Sequence, residues 1–341
     1  MKNQSDLKTF LVSARKLINK IPKFNSKFSN KIYDNHQKMI ILIFRQKMKM
    51  TYRGIVRFFR FSSKARDLLN LKKVPDHSTL VKFNKRVKAK ILDCLLCKKP
   101  VEICAIDSSG FETTYRSYYY ATVWNRKEKQ KYRRYLKISI AIDTNSQHIL
   151  SQKIRIGPRN DNIDFENVIK TVKCKYVVAD KGYDSKKNRY FVLRKMKAYP
   201  HIPYRKTTGR VYEKLGIPLK FNKKIYHQRS KVESVFSVIK RKYGSEILSR
   251  SFETQKKELL FRLLAYNIDR KIIISLLVII GFHQSLFNQQ KVLLLDYIHL
   301  QQHLLECTGF ELFVVEKILV QVLYLLFVFL FFLQETYLMF S

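Results

Sequence analysis

The sequence is short of acids. Its 341 residues hold 26 Asp and Glu against 67 Lys and Arg, a net charge of +41. An excess of that size is rarely only a solubilising surface. Clustered Lys and Arg gain affinity for a polyanion by releasing counterions from its phosphates, so nucleic acid is the expected partner. Cysteine is scarce too. There are five, an odd number and widely scattered. That excludes a disulfide framework and suits reduced thiols in a cytoplasm. Cys94 and Cys97 form one CxxC with Cys104 nearby, but no second pair of ligands stands at zinc spacing, so they read as helix residues. Internal repeats are absent. The N-terminal "MKNQSDLKTFLVSARK" has neither the long apolar core nor the cleavage-like site of a secretory signal. A cytoplasmic, nucleoid-associated protein is expected.

What is present suffices for a core. The hydrophobic fraction is 46%, and the length allows two domains. Composition shifts near residue 280. Residues 281–341 hold two lysines (Lys291, Lys317), no arginine and five acids, a net −3, so residues 1–280 carry +44. This tail reads as an atypical apolar C-terminal extension, with a membrane anchor or an oligomerisation helix as the alternatives. Its most apolar run, "ILVQVLYLLFVFLFFL", is shorter than the roughly 20 residues a membrane span needs. A membrane is not among the expected partners.

Residues 1–100 read as helical. "HQKMIILIFRQKMKMTYRGIVRFFRF" places apolar residues at helical spacing and interleaves them with bases. In "VPDHSTLVKF", Pro75 and Asp76 break the preceding segment, and Asp76 or Ser78 can cap a basic helix. Short helices followed by a capped basic helix suggest a helix-turn-helix-like DNA-binding region; an ordinary bundle with a solvated basic face is the alternative. From residue 101 the period changes. "VEICAIDSSGFE", "YLKISIAIDT" and "HILSQKIRIGP" read as strands, the first turning at Ser-Ser-Gly. "NIDFENVIKTV" reads as a helix capped by Asn160, Asp161 or Asn162, "KYVVADKGYDS" as a buried strand, "KKNRYFVLRKMK" as a helix and "AYPHIPY" as a strand. "HQRSKVESVFSVIKRKYG" and "KKELLFRLLAYNIDRKIII" read as helices. That order predicts a mixed α/β sheet flanked by helices.

Three acids stand out. Asp107 and Asp180 each close an apolar strand, where aspartate is disfavoured and ligand sites of open α/β sheets form. Two carboxylates meeting there would bind a hard cation such as Mg²⁺. A turn-capping aspartate is the alternative for each, and Asp143 ends "ISIAID" in the same way. Glu233 discriminates. On one continuous helix over 226–240, Tyr226, Arg229, Glu233 and Lys240 fall in a strip about 60° wide, beside the apolar face of Val232, Val235, Phe236 and Ile239. One acid on a ridge of donors suits a metal ligand beside a phosphate chain. A solvated face pairing Glu with Lys is the alternative, although Lys240 lies two turns from Glu233.

The spacing Tyr-x2-Arg-x3-Glu-x6-Lys (Tyr226, Arg229, Glu233, Lys240) resembles the YREK signature of prokaryotic insertion-sequence DDE transposases. "ADKGYDS" is similar to the second-aspartate motif of that family, here Asp180, Gly182 and Tyr183, and "AIDSSGF" to its first, carrying Asp107. The resemblance covers about residues 40–275. It implies an RNase H-like core over 101–275 behind a DNA-binding region over 1–100. It also implies catalysis by Asp107, Asp180 and Glu233 on two Mg²⁺ ions, with Mn²⁺ able to replace them. Tyr226, Arg229 and Lys240 would contact DNA. The implied partners are the terminal inverted repeats and target DNA, with the chain acting as a homodimer or multimer; the implied reaction is cleavage followed by joining of the 3′-OH ends to target DNA. A catalytically inactive remnant that only binds DNA is the alternative. Asp180 and Glu233 lie close in sequence for this group, so "KTTGRVYEKLGIPLKFNK" is expected as a basic loop or hairpin facing DNA. The aromatics of "YRSYYYATVW", with Trp124, are expected in a packed hairpin or stacked on an unpaired base.

Overall fold

The computed structural model describes residues 4–28, 31–113, 135–157, 160–204, 212–213, 216 and 222–308. The expectations for "YRSYYYATVW" and Trp124, for most of "KTTGRVYEKLGIPLKFNK" and for the apolar run of the tail lie outside these residues. Residues 10–271 form one compact unit, and residues 1–9 with 272–341 a second.

Helices α1 (Gln4–Ile18), α2 (Asn35–Lys47), α3 (Tyr52–Phe61), α4 (Ser63–Leu68), α5 (His77–Arg86) and α6 (Ala89–Cys94) come first. Their starts are chemically marked. Asp34 and Gln37 form a reciprocal capping box on α2, and Thr51, Ser62 and Asp76 cap α3, α4 and α5. Asp76 takes the cap predicted for it, accepting from the Ser78 N–H at 2.9 Å.

The sheet follows: β1 (Val101–Thr113), β2 (Tyr135–Asp143), β3 (Ile149–Ile156), α7 (Asn162–Ile169), β4 (Cys174–Ala179), α8 (Lys186–Tyr190) and β5 (Tyr199–His201). Then come α9 (Lys223–His227), α10 (Ser230–Tyr243), β6 (Glu246–Ile247) and α11 (Phe252–Thr308). The strand order is β3-β2-β1-β4-β5, with β6 on β1. The first three strands pair antiparallel, and β4, β5 and β6 are parallel additions. This is the mixed, helix-flanked sheet of an RNase H-like α/β fold. Strand alternation divides β1 between two faces. Cys104 and Ile106 join Phe165, Val168, Tyr183 and Val192 in a core beneath α7 and α8. Residues 105, 107, 109 and 111 point to the other face, against which α10 packs.

Three sequence expectations need correction. Strand β1 does not turn at Ser108-Ser109-Gly110. Its ladder with β2 continues to Glu112↔Tyr135, so Asp107 is mid-strand. Gly110 is there for room: a Cβ at that position would meet the Tyr135 ring at 3.2 Å. Second, residues 226–240 are not one helix. Four i→i−3 bonds (Gln228 to Ile225, Arg229 to Tyr226, Lys231 to Gln228, Val232 to Arg229) tighten the chain between α9 and α10. Third, the two-residue β6 has no counterpart in the pattern reading.

Helix α11 clamps the unit together. Lys257, almost fully buried, donates to the carbonyls of Asn84 (2.7 Å) and Lys85 (2.9 Å) at the end of α5. Asp269 accepts from Lys47 of α2 (2.5 Å), Lys242 of α10 (2.5 Å) and the Tyr243 hydroxyl (2.6 Å). Asn267 accepts from the Ile149 N–H and donates back to its carbonyl, both at 2.9 Å, on the edge strand β3.

Candidate active site

Register brings the two aspartates side by side. Strand β4 runs parallel to β1 and its last pair is Ile106 opposite Ala179, so Asp107 is the next residue of β1 and Asp180 the first residue beyond β4. Asp107 is half-buried and accepts from the Ser108 N–H at 2.8 Å. Asp180 is exposed and accepts from the Lys181 N–H at 2.7 Å, capping a 3₁₀ turn over Lys181–Tyr183. Asp143 is different. It pairs with Cys104, three residues before Asp107, and spends its carboxylate on the β2–β3 turn, accepting from Asn145 (3.0 Å) and Ser146 (3.1 Å) backbone N–H groups. Strand-end aspartates that look alike in sequence are thus separated by topology.

Helix α10 brings the third acid. Val232, Val235, Phe236 and Ile239 are buried as predicted, which turns Glu233 to the exposed edge of that face. Its carboxylate pairs with Arg229 at 2.7 Å. Arg229 stands four residues before Glu233, the spacing of a helical ion pair. Burial opposes the Arg229 charge, but Glu233 and then Asp180 outweigh it and hold the guanidinium above its usual value. Burial pushes the Asp107 carboxyl up. The Ser108 N–H and Arg229 work against that rise, while Glu233 and Asp180 add to it. The three acids therefore share one electrostatic neighbourhood with Arg229. Among the described residues, no three His, Cys, Asp or Glu side chains are grouped so as to hold a metal ion. The donor set is nonetheless the right chemistry for a hard divalent cation. It consists of carboxylate oxygens only, and Glu233 and Asp180 both act on Asp107.

The remaining two predicted residues separate. Lys240 lies over the Phe111 ring, 5.4 Å from its centroid, on the Asp107 face of β1. Tyr226 belongs to α9, which lies against β4, so the tight joint puts it on a different helix from Glu233 and Lys240.

One group has no prediction behind it. The Tyr183 hydroxyl meets Ser108 Oγ at 2.7 Å, and Ser108 Oγ meets Ser139 Oγ at 2.6 Å. Tyr183 is buried against Phe165, and burial drives its phenol far up. The turn carrying Asp180 is thereby tied to the residue next to Asp107. The Asp-x-Gly-Tyr motif flags Tyr183; nothing in the sequence marks Ser139.

Residues 99–268 match the family model for the transposase DDE domain. No curated protein matches the chain. The match begins two residues before β1 and ends within α11. It supports a DDE transposase: the segment that forms the sheet and its covering helices is similar to a transposase DDE domain.

Proposed function

We propose that the chain is a DNA transposase in which Asp107, Asp180 and Glu233 hold two divalent ions, Mg²⁺ or Mn²⁺. The observation that supports this reading is the parallel β1–β4 register, whose last pair, Ile106↔Ala179, immediately precedes Asp107 and Asp180, with the Glu233 helix packed on β1. When bound, the ions supply Lewis-acid activation of water and of the 3′ oxygen. The chain's own groups do the rest. Asp107, half-buried, fixes the geometry from a strand that cannot shift without breaking two ladders. Arg229, now paired with Glu233, is placed to exchange that partner for a phosphate, freeing the carboxylate. Lys240 and Tyr226 flank the site as backbone contacts. The DNA is the pair of terminal inverted repeats of the element and then a target duplex, with the protein working as a homodimer or multimer in the cytoplasm, on the nucleoid. Residues 1–100 bind the repeats, 101–275 catalyse, and 281–341 are an extension.

The test uses labelled duplex from the ends of the DNA segment carrying the gene. Wild type with Mg²⁺ cleaves at the end and joins the freed 3′-OH to a plasmid. Glu233→Gln binds the same duplex and does neither. Equal cleavage by Glu233→Gln would refute the assignment. DNA binding without cleavage by wild type would favour the inactive remnant.

A further inference from the structure

We propose that the exposed face of α3 is a contact for duplex DNA, with Arg53, Arg57 and Arg60 on phosphates and Phe61 against a base step. The proposal rests on the reading of the chain as a transposase and names the surface that grips its substrate. At about 100° per residue, these four side chains fall within an arc of about 100°. The opposite side of α3 is buried through Ile55, Val56 and Phe59. No acid occurs from residue 35 to residue 66, so the arginines face solvent in a stretch without internal counterions. Only the distant Asp76, 4.0 Å from Arg60, approaches them among the described ion pairs.

The placement of Phe61 is the specific observation. In "FFRF", Phe58 and Phe59 supply the aromatic core, with Phe58 5.5 Å and Phe59 6.1 Å from the Phe44 ring. Phe61 has left that core and is 88% exposed. The backbone beside it is fixed. Ser62 closes α3 through its N–H to the Phe58 carbonyl (2.9 Å), and its hydroxyl accepts from Ala65 to open α4 (3.3 Å). A lone exposed apolar residue needs no explanation. An exposed aromatic ring at a helix corner, beside a stripe of arginines, has the chemistry of a side chain that stacks on or wedges between bases while cations hold the backbone. A second copy of this chain fits the surface poorly, because it would bring the same positive charge.

The experiment titrates the full chain in EDTA, which separates binding from cleavage, into a short fluorescein-labelled duplex at several salt concentrations. A matching set of duplexes carries 2-aminopurine at successive positions. Arg57→Gln is expected to lower the slope of log affinity against log salt by about one. Phe61→Ala is expected to keep the slope, weaken binding about tenfold and abolish the 2-aminopurine signal of unstacking, which Phe61→Tyr restores. If wild type binds and both variants bind identically to it, the surface assignment fails while the transposase reading stands. If wild type binds no duplex, both fail. If Phe61→Ala keeps DNA affinity but dissociates an oligomer in sedimentation, the face is a self-contact and the proposal is wrong.

Discussion

Asp269 and Asp107 belong to the same compact unit and live in opposite company. Asp269 is wrapped: two lysines and a tyrosine hydroxyl converge on it. Burial alone would push it up, yet Lys47 together with the hydrogen bonds from Lys242, Lys47 and Tyr243 holds its carboxyl below the usual value. Asp107 has one backbone N–H, a share of Arg229, and two acids nearby, and burial pushes it up. In a chain this poor in acids, an acid used for architecture is compensated by its neighbours. Asp107 lacks such compensation: burial raises its carboxyl, and Glu233 and Asp180 add to the rise against Ser108 and Arg229.

Breaking that contrast gives the largest effects. Glu233→Gln or Asp107→Asn should reduce strand cleavage by about a thousandfold or more, as expected for groups that act in the transition state. Asp107→Asn should leave urea stability unchanged or raised, since it removes a carboxylate that its setting disfavours. A large loss of stability would show that Asp107 is architectural. Asp269→Asn should do the reverse, costing about 1–3 kcal/mol in urea unfolding, because it removes the charge that Lys47, the more exposed Lys242 and the buried Tyr243 hydroxyl share. The pH dependence sharpens the point. The folded pKa of Asp269 is depressed, so its contribution is fully present above the unfolded value of about 3.9 and is lost as pH falls through the folded value. The stability gap between wild type and Asp269→Asn should therefore close as the solution is acidified below about pH 4. A constant gap would refute the charge-based account. The smallest effect belongs to Tyr183→Phe. Removing one hydroxyl should cost about 1 kcal/mol and slow cleavage at unchanged DNA affinity. Unaltered cleavage would mean that the Ser108 bridge does not position the acids.

Much of the sheet was legible because alternation and apolar runs carry it. "YLKISIAID" and "CKYVVA" became β2 and β4 nearly as read. What hid was long-range. The Ser-Ser-Gly in β1 looks like a turn until Tyr135 is seen lying over Gly110. Asp143 and Asp107 look alike in sequence, but Asp143 ends β2 and serves its turn, whereas Asp107 is mid-strand between β2 and β4. The joint at Gln228 and Arg229 contains neither proline nor glycine, so nothing local announced it. A strip through Tyr226, Arg229, Glu233 and Lys240 presumes a constant step of about 100°, which the tight joint between α9 and α10 breaks.

Asn267 carries a consequence beyond its two hydrogen bonds. Its carboxamide is chemically a peptide group turned sideways, offering one donor and one acceptor to Ile149 as a neighbouring strand would. The outer edge of β3 thus begins with a stopper. Any foreign strand seeking to extend the sheet from that end must first displace a helix side chain anchored in α11, which guards the molecule against edge-to-edge aggregation. Aspartate, the same shape without the donor, could not do this, because the Ile149 carbonyl would face a second acceptor.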